Sequence, residues 1–367
     1  MIVTENKRLR SLDILRGLTI IFMVIVNTPG SWSHVYAPLL HAEWNGITPT
    51  DYIFPTFLFI VGVSIVLSFN KQTELGKSRA EMTKKVLIRA FKIYAVGIFL
   101  WLWPSFNFDS IRWVGVLHRI SFVFLACALL FLYTSKKIQI YFGIALLFFY
   151  WIIMVYVPIP GIGFPDLNIP EKNWAHYIDS LLLPGKLWED TWDPEGILST
   201  LPSIATGIMG MISGYILLKK EELDKKINQI FFFGFTLLLL GDLMQWFFPL
   251  NKNLWSSSFS LLMGGISAIA LAGSLFIFDL NQSQNQFKFA QVFGVNSIFA
   301  YSLSSLLTVV FYSPKWWGIA FNEEFMKLCE SIGFPLKLGS LIYALFYVIM
   351  IWIPTFYLFR KKIYIKL

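Results

Sequence analysis

Ten stretches of mostly apolar residues follow one another along the chain, at 12–28, 52–69, 86–103, 113–133, 138–157, 196–218, 227–248, 256–278, 288–312 and 337–359. A helix needs roughly 20 such residues to cross the hydrocarbon of a bilayer. Inside lipid the backbone must satisfy its own hydrogen bonds, so the pattern predicts an all-α, polytopic bundle of about ten transmembrane helices. Charge content agrees: 14% of the 367 residues are charged, against about a quarter in a soluble domain.

The net charge of +8 does not mark a nucleic-acid partner, because the basic residues form short clusters between apolar runs. Placing both termini in the cytoplasm puts 21 of the 30 Lys and Arg residues on the cytoplasmic side, as expected from the charge bias of membrane loops. The opposite face then carries the long segments 29–51, 158–195 and 313–336, and the chain reads as one transmembrane domain over 1–367. Segment 158–195 is rich in Pro, Gly and Trp and shows no helical period, so an ordered cap or re-entrant loop is expected. The N-terminus lacks a small-residue cleavage site, and the first apolar run reads as a retained helix. Cys127 lies mid-span and Cys329 in a polar loop, so no disulfide and no metal-ligand spacing is expected.

Polar chemistry concentrates in a few places. The segment joining the first two spans, VNTPGSWSHVYAPLLHAEWNGITPTDYIFP, holds Asn27, His34, His41, Glu43, Asn45 and Asp51, including two of the four histidines of the chain. A histidine oriented by a carboxylate is a general base at neutral pH; from spacing alone, ordinary polar loop residues at the headgroup level are the better-favoured reading. Arg119, beside His118, falls within a span, and so does Asp242. A charge at that depth needs a partner or a wet cavity, which allows either a polar tunnel or a structural ion pair. Asp193 and Glu195, in DPEGILST, either cap the sixth span or bind a cationic or hydroxyl-rich substrate. PLNKNLWSSSF supplies Asn251, Lys252, Asn253 and Trp255, groups able to hold a sugar, although Trp255 also suits the interfacial aromatic belt. Asn296 reads as a helix–helix hydrogen-bonding amide. No P-loop, dinucleotide fingerprint or Gly-x-Ser-x-Gly elbow is present.

Taken in order, RLRSLDILRGLTIIFMVIVN, HAEWNGITPTDYIFPTFLFIVG, GVLHRISFVF, DPEGILSTLPSI, PLNKNLWSSSF and GVNSIFAY resemble the heparan-α-glucosaminide N-acetyltransferase family, including its shorter bacterial relatives. The resemblance runs from residue 8 to about residue 301. It implies acetyl transfer across a membrane, from cytoplasmic acetyl-coenzyme A to a glucosamine amine on the far side. It also implies a homodimer in a bacterial cytoplasmic membrane. The family's catalytic histidine falls on His41, the asparagine ending the first span on Asn27, its aspartate on Asp51 and its arginine on Arg119. An added His34, and His118 where glutamine is expected, depart from the pattern.

The mechanism that follows has His41 taking the amine proton, Asn27 donating to the developing oxyanion, and Asp51 or Glu195 orienting His41 or the sugar. Glu43, Asn45, Asp193, Asn253 and Trp255 are candidate sugar contacts. Arg8, Arg10, Arg16, Arg119 and His118 are candidates for the coenzyme phosphates. Two rivals remain: an O-acyltransferase of a cell-envelope glycan, and a transporter of an amino sugar or anion, for which the inverted repeats and broken helices of transporters are not seen.

Overall fold

The computed structural model describes residues 9–189, 191–281 and 287–365. Within them the chain is helical and no strand forms; three isolated β-bridges occur. The helices are α1 (Arg10–Asn27), α2 (Ile53–Glu74), α3 (Arg79–Leu102), α4 (Val116–Tyr133), α5 (Lys136–Tyr156), α6 (Trp174–Leu182), α7 (Thr200–Leu217), α8 (Leu223–Met244), α9 (Ser257–Ser274), α10 (Lys288–Val295), α11 (Ser297–Phe311), α12 (Pro314–Trp317), α13 (Phe321–Ser331) and α14 (Leu336–Arg360).

Helix occupies every one of the ten expected stretches. Seven of these helices are long and apolar enough to cross a membrane, or eight if the bent pair α10–α11 is one span. α1 and α3 miss that standard because each carries three ionisable groups in any window long enough to span: Arg10, Asp13 and Arg16 in α1, and Lys85, Arg89 and Lys92 at the least in α3. α2, α4, α7 and α9 are the enclosed helices, whereas α5, α8 and α14 are only 28% buried. Large apolar side chains such as Phe91, Phe149, Phe232 and Trp246 are exposed. On a soluble protein so much exposed apolar surface would be a liability; on this integral membrane protein lipid covers it.

Glycine sets the closest crossings. A Cβ on Gly62 would lie 1.9 Å from the Gly207 carbonyl oxygen, and one on Gly210 would lie 1.9 Å from that of Phe59, so α2 and α7 touch backbone to backbone. Gly17 and Gly294 do the same for α1 and α10. Small residues at a crossing are how helices gain packing where lipid gives no hydrophobic drive.

Five expectations need correction. The ninth stretch is not one straight helix: it breaks at Asn296 with an 86° bend between α10 and α11. Asn296 is no helix–helix amide. Its Nδ2 donates to the Ile363 carbonyl at 3.1 Å and its Oδ1 accepts from the Ile365 N–H at 3.0 Å, which ties the C-terminal segment to the break. Segment 158–195 is not devoid of helix. It contains α6, started by Asn173, whose side chain accepts from the His176 N–H at 3.0 Å; nine residues are too few to show a period against the surrounding prolines. Cys329 lies in α13 and is buried, and both cysteines are free. Asp193 caps no helix, because α7 begins only at Thr200.

Candidate active site

Three loops meet at one end of the bundle, and His41 stands where they join. The Gly46 N–H donates to the Leu250 carbonyl at 2.8 Å. Asn45 is spent on the same joint: its Nδ2 donates to Asn168 Oδ1 at 2.9 Å, and its Oδ1 accepts from Asn251 Nδ2 at 3.1 Å. Trp44 Nε1 donates to the Leu167 carbonyl at 2.7 Å. Asn45, expected at the sugar, is thus a tie between loops, while Glu43 remains exposed and Asn253 half-buried.

The His41 ring is oriented from beneath. Asp51 closes a capping box with Thr48 at the turn Pro49–Tyr52 that leads into α2. Its Oδ2 accepts from the Thr48 N–H at 2.8 Å and the Ala42 N–H at 3.2 Å, leaving Oδ1 for His41 Nδ1 at 2.6 Å. The Asp51 side chain is fully buried and the His41 side chain is 46% exposed. An ionised carboxylate only accepts, so Nδ1 carries the proton and Nε2 presents its lone pair outward. Lys252 Nζ lies 3.4 Å from both ring nitrogens. Equal distances put the ammonium beside the ring and away from the in-plane lone pair of Nε2. Burial depresses the Lys252 pKa, and the Arg119 charge adds to this, while Glu195 and Asp51 act in the opposite direction.

A second polar cluster lies against the first. Arg112 Nε donates to Asp193 Oδ2 at 2.7 Å and its Nη2 to Asp193 Oδ1 at 2.6 Å and Glu195 Oε2 at 2.7 Å. The fork is bidentate and buried, with Trp188 over the guanidinium at 5.0 Å. Burial alone would raise the Glu195 pKa, but Arg112, Arg119 and Lys252 hold it below the ordinary carboxylate range. Arg119 is 1% exposed. Its Nη2 donates to Ser199 Oγ and, at 3.3 Å, to the Gly196 carbonyl, and its carbon lies 5.0 Å from the Trp255 ring centroid. Trp255 holds a left-handed φ of 50°. Its indole donates to Thr206 Oγ1 at 3.2 Å, which places it under Arg119 in the core and leaves no face open to a sugar. Asp193 is likewise fully engaged within the protein.

The other end of the bundle holds a cavity of about 300 Å³ lined by Arg16, Ser64, Ser68 and Arg89 among apolar side chains. Arg16 donates to Ser64 Oγ at 2.7 Å, the Gly294 carbonyl at 3.2 Å and Asp13 Oδ1 at 3.2 Å. A smaller hollow adjoins this cavity through the shared residues Phe57, Ile120, Ser297 and Ile298 and continues past Thr19 to Ile53 and Phe54. Thirteen residues of helical chain separate Ser64 from Asp51, about 20 Å at 1.5 Å per residue.

Of the cations expected at the coenzyme, Arg16 lines this cavity and Arg10 opens α1, whereas Arg119 lines a different one and belongs to the His41 end. Arg8 lies outside the described residues. His118 packs between α3 and α4, edge-on to Tyr94 at 4.5 Å and against Gly97. Asn27 closes α1, exposed and without a side-chain hydrogen bond to the described residues. Asp242 sits in the last turn of α8, exposed, accepting from Gln245 at 2.6 Å. His34 stands in a separate hollow beside Lys337.

Arg89, Arg112 and Asp179 are the groups that reading the sequence missed. Asp179, on α6, accepts from the Ile197 N–H at 2.8 Å and is 1% exposed. Burial pushes its carboxyl up to about 7, against the Ile197 N–H and with Asp193 adding to the rise. No signal in the sequence flags it, because α6 is itself too short to show a period.

A family model described as "Heparan-alpha-glucosaminide N-acetyltransferase, catalytic" matches residues 8–248. The chain is similar to two curated proteins named heparan-alpha-glucosaminide N-acetyltransferase. The mouse protein is 27% identical over 88% of this chain and 56% of its own length. The human protein is 28% identical over 98% of this chain and 60% of its own length. The chain therefore spans well under two thirds of the relatives it matches.

Proposed function

Because the chain belongs to the heparan-α-glucosaminide N-acetyltransferase catalytic family, we propose that it is a transmembrane N-acetyltransferase that moves an acetyl group from cytoplasmic acetyl-coenzyme A to the amine of a glucosamine-type sugar on the opposite side. The His41–Asp51 pair carries this reading: a buried carboxylate fixes the tautomer, and Nε2 faces outward at the mouth of the bundle.

Both termini lie in the cytoplasm in this account, and the cavity at Arg16 and Arg89 receives the coenzyme phosphates. The pantetheine arm runs past Phe57 and Ile120 toward Asp51, where a hollow of about 20 Å³ has to widen to admit it. The acceptor amine attacks the thioester carbonyl carbon to form the C–N bond of a tetrahedral intermediate, whose collapse breaks the C–S bond. His41 Nε2 takes the amine proton and passes it to the departing thiolate. Asp51 stabilises the imidazolium in between. The unspent Asn27 amide donates a hydrogen bond to the oxygen of the tetrahedral intermediate, and the Lys252 ammonium sets a positive charge beside it.

Purified protein given labelled acetyl-coenzyme A and glucosamine is expected to yield N-acetylglucosamine. His41→Ala should lower kcat by about 10²–10⁴-fold and Lys252→Met by about 10²-fold, both with coenzyme affinity retained. A His41→Ala enzyme of full activity would refute the mechanism. Unchanged kcat in Lys252→Met would remove Lys252 from it.

A further inference from the structure

A third cavity, of about 400 Å³, runs between α4 and α7. Its wall is apolar, made by Phe122, Leu125, Ala126 and Leu129 of α4 and Ile204 of α7. Phe122 and Ile197, on its rim, are 46% and 38% exposed. Phe122 sits on a helix apolar enough to span the membrane, so the slot opens sideways into lipid. One end is polar, where Arg119 and Glu195 line it. Arg119 keeps Nε and Nη1 without a partner although it is buried, and an unmatched buried donor costs about 1–3 kcal/mol. Glu195 is already engaged by Arg112. The ten residues from Arg119 to Leu129 give the slot a length of about 15 Å at 1.5 Å per residue.

Polar groups toward the His41 end and apolar walls toward the middle of the membrane reproduce the polarity of a lipid in the leaflet on that side. A guanidinium with two free donors in one plane matches phosphate oxygens. We infer that this slot takes a phosphate-headed, single-chain amphiphile from that leaflet, and that the acceptor amino sugar is presented on such a phosphate-linked lipid. The inference rests on the acetyltransferase reading for the word acceptor. The binding slot itself does not depend on it.

The test uses the full chain in phosphatidylcholine vesicles with two photoreactive probes, a diazirine-tailed dodecyl phosphate and the matching dodecyl glucoside. The phosphate probe is expected to label 122–129 and the peptide around Ile204. Ala126→Trp, which fills the slot, should lower that labelling about tenfold, and Arg119→Gln should abolish the preference for phosphate over glucoside, worth about tenfold for a charge-assisted hydrogen bond. A dodecyl-phosphate-linked glucosamine should then be acetylated with a kcat/KM at least about tenfold above free glucosamine, and Ala126→Trp should erase that advantage. Labelling spread evenly over lipid-facing α5 and α8, and unaffected by Ala126→Trp, would overturn the slot. Specific labelling without any gain for the tailed sugar would overturn the lipid-borne acceptor. Failure of the wild type to acetylate either free or tailed glucosamine would count against the acetyltransferase reading instead.

Discussion

The two ends of the bundle solve opposite problems. At the His41 end the charges around the imidazole are tied down, Asp51 by two backbone N–H groups and an imidazole and Arg112 by two carboxylates, with Arg119 behind them the exception. At the Arg16 end, Arg16 and Arg89 line about 300 Å³ of open cavity with two serines. A site that must hold an imidazole in one orientation gains from groups fixed in advance. A site that receives a flexible, multiply charged ligand gains from cations and room. The proposed mechanism assigns the first role to the His41 end and the second to the cavity at Arg16 and Arg89.

Removing the knot at the fixed end should have the largest effect. Arg112→Ala leaves Asp193 and Glu195 buried together without their cation, a change that costs about 3–5 kcal/mol. A fall of several degrees in the thermal unfolding midpoint in detergent is expected, and an unchanged midpoint would show that the cluster does not hold this end together.

Asp179 gives a pH-dependent version of the same test. Its carboxyl titrates at about 7 when folded, against 3.8 as the ordinary value, so burial favours the protonated form. Its contribution to stability is complete below about pH 4 and is lost as the pH rises through 7, to a limit of about 4 kcal/mol. Asp179→Asn keeps an oxygen for the Ile197 N–H and cannot ionise. Variant and wild type should melt together at pH 4, with the variant ahead by a widening margin up to pH 8. A margin independent of pH would contradict the assignment.

The smallest effect belongs to the open end. Arg89→Ala should raise the KM for acetyl-coenzyme A about tenfold, the worth of one charge-assisted contact, while kcat and the melting point stay near wild type. A loss in kcat instead would make Arg89 part of the fixed framework and blur the contrast between the two ends.

The apolar stretches were legible because their length alone demands helix in lipid, and His41 and Asp51 because they fall on the family's motif; spacing alone left ordinary loop residues as a sufficient reading and Glu195 as another partner. What stayed hidden depends on contacts distant in sequence. Arg112 looks like any loop cation until Asp193 and Glu195, eighty residues later, close on it. Lys252 reads as a sugar-binding loop residue until the Gly46–Leu250 bond brings its loop over His41. Trp255 has the composition of a stacking platform, yet the turn through its left-handed φ drives the indole inward beneath Arg119. The break at Asn296 has no proline to mark it; Gly294 reads as a packing residue, and the partners of the Asn296 amide, Ile363 and Ile365, lie nearly seventy residues away.

The central claim is that a thioester docked at Arg16 and Arg89 is used by His41 at the opposite end. Proteoliposomes of uniform orientation, with labelled acetyl-coenzyme A in one compartment and glucosamine in the other, test it directly. The account predicts labelled N-acetylglucosamine only when coenzyme is supplied on the Arg16 side, with product appearing solely in the compartment facing His41. Product forming in the compartment that holds the coenzyme would contradict it.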